Sequence, residues 1–120
     1  MVIRIVLVDD HLLLRQGLAN FLQREQGMNI VGQASDGESA VNLIRKVRPD
    51  IVLMDISMPG MNGIQATRII HSELPEINII GFSMYLENGQ TAAMREAGAV
   101  NCISKSESSE AVITAVRACA

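Results

Sequence analysis

The chain predicts an α/β fold: a doubly wound, five-stranded parallel sheet built as (βα)5, with helices on both faces. Three observations predict it. Five short runs rich in β-branched residues are apolar at successive positions, as strands buried on both faces are. Each run is followed by a segment of helical length whose apolar residues recur at helical spacing. The length of 120 residues, with 48% hydrophobic and 19% charged, suits one globular domain that can bury a core without disulfide or metal staples.

Taken in order, the first strand is IRIVLV at 3–8, and the helix after it spans about 11–26, with Leu14, Leu18, Phe21 and Leu22 on one face. The second strand is NIVGQA at 29–34. Its helix covers 37–48 through Ala40, Val41, Leu43, Ile44 and Val47, and Ser35 and Glu38 stand at capping-box spacing ahead of it. IVLM at 51–54 is the third strand. The helix at 63–73 is closed by Pro75, because a residue before proline disfavours helix. INIIGF at 77–82 is followed by a helix at 87–97 with Gly98 just past its end. VNCI at 100–103 and a helix at 107–118 complete the series. Such alternation implies parallel pairing and right-handed crossovers.

Composition excludes several functions. Net charge is −3, the aromatics are Phe21, Phe82 and Tyr85, and there is no Trp, so neither a basic footprint nor a base-stacking surface for nucleic acid is expected. No apolar run reaches bilayer length, and residues 1–8 run straight into Asp9-Asp10 with no cleavage pattern. Cys102 and Cys119 are too far apart for a CxxC site and make no disulfide framework. The expected setting is soluble, reducing and cytoplasmic, without membrane contact.

Ligands of open parallel sheets bind outside the carboxyl ends of the strands. There the chain places Asp9 and Asp10 after the first strand, Asp55 after the third, Ser83 after the fourth and Lys105 after the fifth. Each alone has a plainer reading: a helix cap for Asp10, a turn residue for Asp55, a loop hydroxyl for Ser83, a solvated charge for Lys105. Their joint placement at the same end of four strands points to a site. Three clustered carboxylates raise one another's proton affinity. A hard cation relieves that conflict, and Mg²⁺ accepts one or two carboxylates together with waters and a phosphate oxygen. A carboxylate held there can attack phosphorus, the metal neutralising charge on the transferring group. Lys105 offers a mobile point charge and Ser83 a hydrogen bond to phosphoryl oxygens.

The segments VLVDDH at 6–11, SDGESA at 35–40, PDIVLMDISMPGMNG at 49–63, GFSMY at 81–85 and AGAVNCISK at 97–105 resemble the receiver domain of bacterial two-component response regulators over essentially the whole chain. The resemblance implies the flavodoxin-like strand order 2-1-3-4-5. It implies that Asp55 accepts a phosphoryl group from a sensor histidine kinase. Asp10, Asp55 and the backbone carbonyl of Ser57 would ligate Mg²⁺, Asp9 would act through a metal-bound water, Lys105 would pair with the phosphoryl group, and Ser83 would swing toward it. Such a domain is a signalling module rather than an enzyme, although it catalyses its own phosphorylation and dephosphorylation.

Asp-Asp-His followed by LLLRQGL, Ser83-Met84-Tyr85, and Ser106 after Lys105 are similar to the NarL/FixJ group, whose members usually carry a C-terminal helix-turn-helix domain of the LuxR type. Residues 1–120 are therefore expected to be the receiver of a transcription factor that dimerises on phosphorylation and reaches DNA only through a domain absent here. A stand-alone receiver acting by protein–protein interaction or phosphorelay is the other reading. Cys102 departs from the group, standing where an aromatic is usual in the fifth strand, and is expected to be a small core residue. The Ser83 loop and fourth helix, with Tyr85 and Met94, are then expected to carry the switch. A nucleotide binder of the same fold class needs a hydroxyl- or glycine-rich loop where Asp9-Asp10-His11 stand. A haloacid-dehalogenase-type phosphatase needs a second Asp where Ser57 stands. A P-loop NTPase needs a motif the chain lacks.

Overall fold

Strands β1 (Ile3–Val8), β2 (Met28–Ala34), β3 (Ile51–Asp55), β4 (Asn78–Ser83) and β5 (Asn101–Ser104) alternate with helices α1 (Leu12–Gln23), α2 (Gly37–Val47), α3 (Gly63–Glu73), α4 (Asn88–Ala97) and α5 (Ser109–Cys119). The computed structural model describes residues 1–84 and 88–119, Asn88 by its backbone alone. Tyr85, expected to take part in switching, lies outside the described residues. The sheet order is β2-β1-β3-β4-β5, and every neighbouring pair is parallel. The chain leaves β1 toward β2 on one side and returns to β3 on the other. That reversal opens a crevice at the carboxyl ends of β1 and β3.

The strands lack alternation because both of their faces are covered. Val6, Val8, Val52, Met54 and Ile79 pack with Val41, Ile44, Ala66, Ile70 and Met94 on the α2, α3 and α4 side. Ile5, Leu7, Leu53, Ile80 and Phe82 pack with Leu22, Val112 and Val116 on the α1 and α5 side. Burial of each such large apolar side chain stabilises the fold by about 1.5–3 kcal/mol relative to exposure.

Local chemistry sets the boundaries. α1 stops at Gln23, three residues short of the expected end. Gly27, at φ +84°, turns the chain toward β2, and Gln23 Oε1 accepts from Ile30 N at 2.8 Å. The expected Ser35–Glu38 capping box does not form. Asp36 is the extended N-cap residue of α2 instead, and its Oδ1 accepts from Ser39 N at 2.7 Å, a simple N-cap one residue later than the sequence spacing suggested. Asp36→Ala is expected to cost about 1 kcal/mol in urea unfolding. An unforeseen box joins Asn62 and Gln65 at the start of α3. α3 ends before Pro75 as expected, and Gly98 at φ +123° follows α4. β3 and β4 each run one residue beyond expectation. Asp55 and Ser83 are thus held in the ladder itself, opposite Phe82 and Ser104.

Candidate functional site

Four strand ends meet at this crevice. Asp9 follows β1 directly, Asp55 ends β3, Ser83 ends β4, and Lys105 follows β5. The backbone fixes each in turn. Asp9 N donates to Ala34 O at 3.0 Å, while Asp9 Oδ1 accepts from His11 N at 2.8 Å and so shapes the turn into α1. Ile56 N donates to Phe82 O at 3.1 Å, and Asp55 Oδ1 accepts from Ser57 N at 3.2 Å. Lys105 N donates to Ser83 O at 2.7 Å, tying the last two strand ends together. α3 begins hard against this floor: a Cβ on Gly63 would lie 2.1 Å from the Asp55 carbonyl oxygen.

All five side chains expected from the sequence come together. Oxygens of Asp9, Asp10 and Asp55 lie within 4.8 Å of one another. Lys105 Nζ sits 2.8 Å from Asp9 Oδ2 and 3.3 Å from Asp55 Oδ2, and 5.8 Å from the centroid of the Phe82 ring. Asp55 is 2% exposed, Asp9 4% and Ser83 5%. Asp10 is exposed. A cavity of about 470 Å³ opens above them, lined by Asp10, His11, Asp55, Ser57, Ser83, Met84, Gln90 and Lys105.

The electrostatics are unbalanced, because Lys105 sets one ammonium against three carboxylates. The Asp55 carboxyl is pushed up to about 7, first by burial, then by the neighbouring charge of Asp9. Lys105 opposes both, and a hydrogen bond with Asp10 adds to the rise. Among the described residues, buried Asp9 Oδ2 makes no hydrogen bond of good geometry, and its 2.8 Å contact with Lys105 Nζ is an ion pair of poor alignment. A buried carboxylate oxygen met by Lys105 only in a poorly aligned ion pair, excess negative charge and an all-oxygen donor set fit a hard divalent cation. Asp9, Asp10 and Asp55 are the residues that could hold it.

Sequence reasoning missed Gln90, which reaches the cavity from the first turn of α4, and Arg15, whose Nη1 donates to the Asp9 carbonyl at 2.6 Å. Arg15 lies within the LLLRQGL segment that carries the family resemblance, but nothing in its spacing points to the Asp9 carbonyl, and Gln90 has no periodicity or motif signal. Cys102 is half-buried against the core on the α4 side. A Cβ on Gly81 would meet Cys102 Sγ at 2.9 Å and Met94 Cε at 3.1 Å, so thiol and thioether together fill the space beside that glycine. Burial pushes the Cys102 thiol up, which keeps it protonated and inert near neutrality. Among the described residues, no helix is long and apolar enough to cross a membrane.

The sequence and the fold are shared with known proteins. The family model described as the response regulator receiver domain matches residues 5–117. The chain is 38% identical over 116 residues to the transcriptional regulatory protein LiaR of Bacillus subtilis (strain 168), covering 97% of this chain and 55% of that protein. It is 41% identical over 115 residues to the response regulator UvrY of Escherichia coli (strain K12), covering 96% and 53%. The chain thus spans about half the length of the curated relatives it matches. A two-component response regulator of the LuxR family from Aurantimonas sp. SI85-9A1 superposes with a TM-score of 0.94 at 36% identity, over 98% of this chain and 84% of that one. The response regulator domain of Thermotoga maritima CheB gives 0.91 at 31% identity, over 99% and 96%. With a matched family model spanning its sheet and strand-end cluster, the chain belongs to the response regulator receiver domain family.

Proposed function

We propose that this chain is a phosphorylation switch in which Asp55 accepts a phosphoryl group from a sensor histidine kinase in a Mg²⁺-dependent reaction. The observation that carries the reading is the setting of Asp55: a nearly inaccessible carboxylate with Oδ2 on Lys105 and Oδ1 on the Ser57 amide, at the floor of a cavity that Asp10 also lines. A carboxylate oxygen of Asp55 attacks phosphorus, and the bond from phosphorus to the donor's leaving atom breaks with its electron pair departing on that atom. Lys105 is shared between two carboxylates, so it can transfer its charge to a phosphoryl oxygen without crossing the site. Ser83, on the next strand end, supplies a hydroxyl to another oxygen. Asp9, buried beside Lys105, keeps that ammonium over the site.

Asp10, Asp55 and the backbone carbonyl of Ser57 are the groups proposed to hold Mg²⁺, with Asp9 acting through a water. Bound there, Mg²⁺ neutralises charge on the transferring group. Incubation with Mg²⁺ and acetyl phosphate should add one phosphoryl group to the intact mass. Asp55→Asn should abolish the gain, and Asp10→Ala should slow it at fixed Mg²⁺. Undiminished labelling of Asp55→Asn would remove Asp55 as acceptor.

The output proposed is transcriptional. LiaR is by its name a transcriptional regulatory protein, and such relatives are about twice as long as this chain. Residues 1–120 would then form the receiver of a longer regulator that reads DNA through a C-terminal helix-turn-helix domain, with phosphorylation promoting a homodimer. A net charge of −3 agrees with a receiver that does not itself bind DNA.

A further inference from the structure

Asp10 is the least restrained member of the carboxylate cluster. It is exposed, whereas Asp9 and Asp55 are packed beneath it. Apart from its hydrogen bond with Asp55, its position depends on the peptide that joins it to Asp9. The amide of Asp9 is still held by the sheet, through Ala34 O at 3.0 Å. The Asp9 carbonyl, on the peptide leading into Asp10, has left the ladder and is held by Arg15 Nη1 at 2.6 Å. Rotation of that peptide would carry the Asp10 Cα, and its carboxylate with it, away from Asp55.

Arg15 is itself fixed. Its Nε donates to Gln33 Oε1 at 3.1 Å, so two nitrogens of one planar group engage partners on β2 and at the end of β1. A lysine there could not hold both in the same geometry. The place of Arg15 in the opening part of α1, a helix with no acidic residue in its first turn and no side-chain cap, is unfavourable for the helix dipole. Helix stability alone therefore gives no reason for a cation at this position.

We infer that Arg15 is a positioning residue for the cation-holding carboxylates: it orients Asp10 through the Asp9–Asp10 peptide, and Gln33 locks its guanidinium. The inference rests on reading Asp9, Asp10 and Asp55 as the Mg²⁺ site. Groups that support metal ligands from behind in this way typically change affinity by about 10–100-fold when removed.

The test is titration of Mg²⁺ alone into the whole chain, followed by calorimetry or amide chemical shifts, on the unsubstituted protein, Arg15→Ala, Arg15→Lys and Gln33→Ala. Arg15→Ala should bind Mg²⁺ about 10-fold more weakly, Arg15→Lys should fall between it and the unsubstituted chain, and Gln33→Ala should lose less in the same direction. In acetyl phosphate assays the half-saturating Mg²⁺ should rise by the same factor, while the rate at saturating Mg²⁺ returns toward that of the unsubstituted chain. A merely structural role would not produce that split. Unchanged Mg²⁺ affinity in folded Arg15→Ala overturns the inference, as does a rate loss that excess Mg²⁺ does not recover. Should Arg15→Ala fail to fold, unchanged affinity in Gln33→Ala overturns it. An unsubstituted chain that neither binds Mg²⁺ nor gains a phosphoryl group overturns the reading of the site itself.

Discussion

In chelator at pH 8, Asp55→Asn should be more stable than the unsubstituted chain, although it removes the proposed acceptor. The cause is the raised proton affinity of Asp55, about 7 in the fold against 3.8 for the ordinary side chain. Between those values the folded chain holds a proton that the unfolded chain has released. Stability from this group is therefore complete below about pH 4, falls as pH rises toward 7, and stays lost above it. Each pKa unit corresponds to about 1.4 kcal/mol, which puts the ceiling near 4 kcal/mol. Loss of the contacts to Lys105 and Ser57 N offsets part of this, leaving an expected gain of about 2–3 kcal/mol at pH 8. The asparagine variant carries no such titration, so the gain should shrink toward pH 5. Urea unfolding of both proteins at several pH values reads this directly. Equal stability at pH 8 contradicts the account, and Mg²⁺ added to the unsubstituted chain should narrow the gap by mass action.

Gly63→Ala should cost about 3 kcal/mol or more. The new methyl would meet a backbone oxygen at 2.1 Å and the Ile56 Cα at 2.8 Å, neither of which is the mobile tip of a side chain. The backbone cannot easily retreat. Gly63 N is bonded to Ile56 O at 3.0 Å, and Ile56 N to Phe82 O at 3.1 Å. Any relief must move α3 or the end of β3, and with the latter the Asp55 carboxylate, so phosphorylation should slow as well. Gly17→Ala is the contrast. Nothing lies within 4 Å of its new methyl, and it stands in the middle of α1, so it should stabilise by about 0.5–1 kcal/mol. Thermal unfolding of the two variants should therefore shift in opposite directions.

Much of this was legible in the residues. Apolar runs without alternation marked strands covered on both faces, and Asp9, Asp10, Asp55, Ser83 and Lys105 could be placed at one edge because parallel strands share a direction. The strand order came from the family resemblance. The different roles of Asp9 and Asp10 came from the family resemblance alone, and their different settings were not legible in the residues. Successive residues leaving a strand point to opposite sides, and only the packing shows that Asp9 lies under Lys105 while Asp10 lines the cavity. The α2 cap was misplaced by one residue because Ser35, Asp36 and Ser39 all offer capping side chains within one turn. The Arg15–Asp9 bond and the reach of Gln90 into the cavity join polar side chains across elements, and such contacts leave no period in the sequence.

Gly81, Met94 and Cys102 share one small volume between β4, α4 and β5. Drift at any of these positions is then constrained by the other two. Any Cβ at 81 needs Cys102 and Met94 to yield. Lineages descended from this sequence should exchange these three residues in concert, through intermediates that keep their summed bulk nearly constant. A history of independent substitution is open to positions such as 17 and 89, where a new methyl meets nothing within 4 Å.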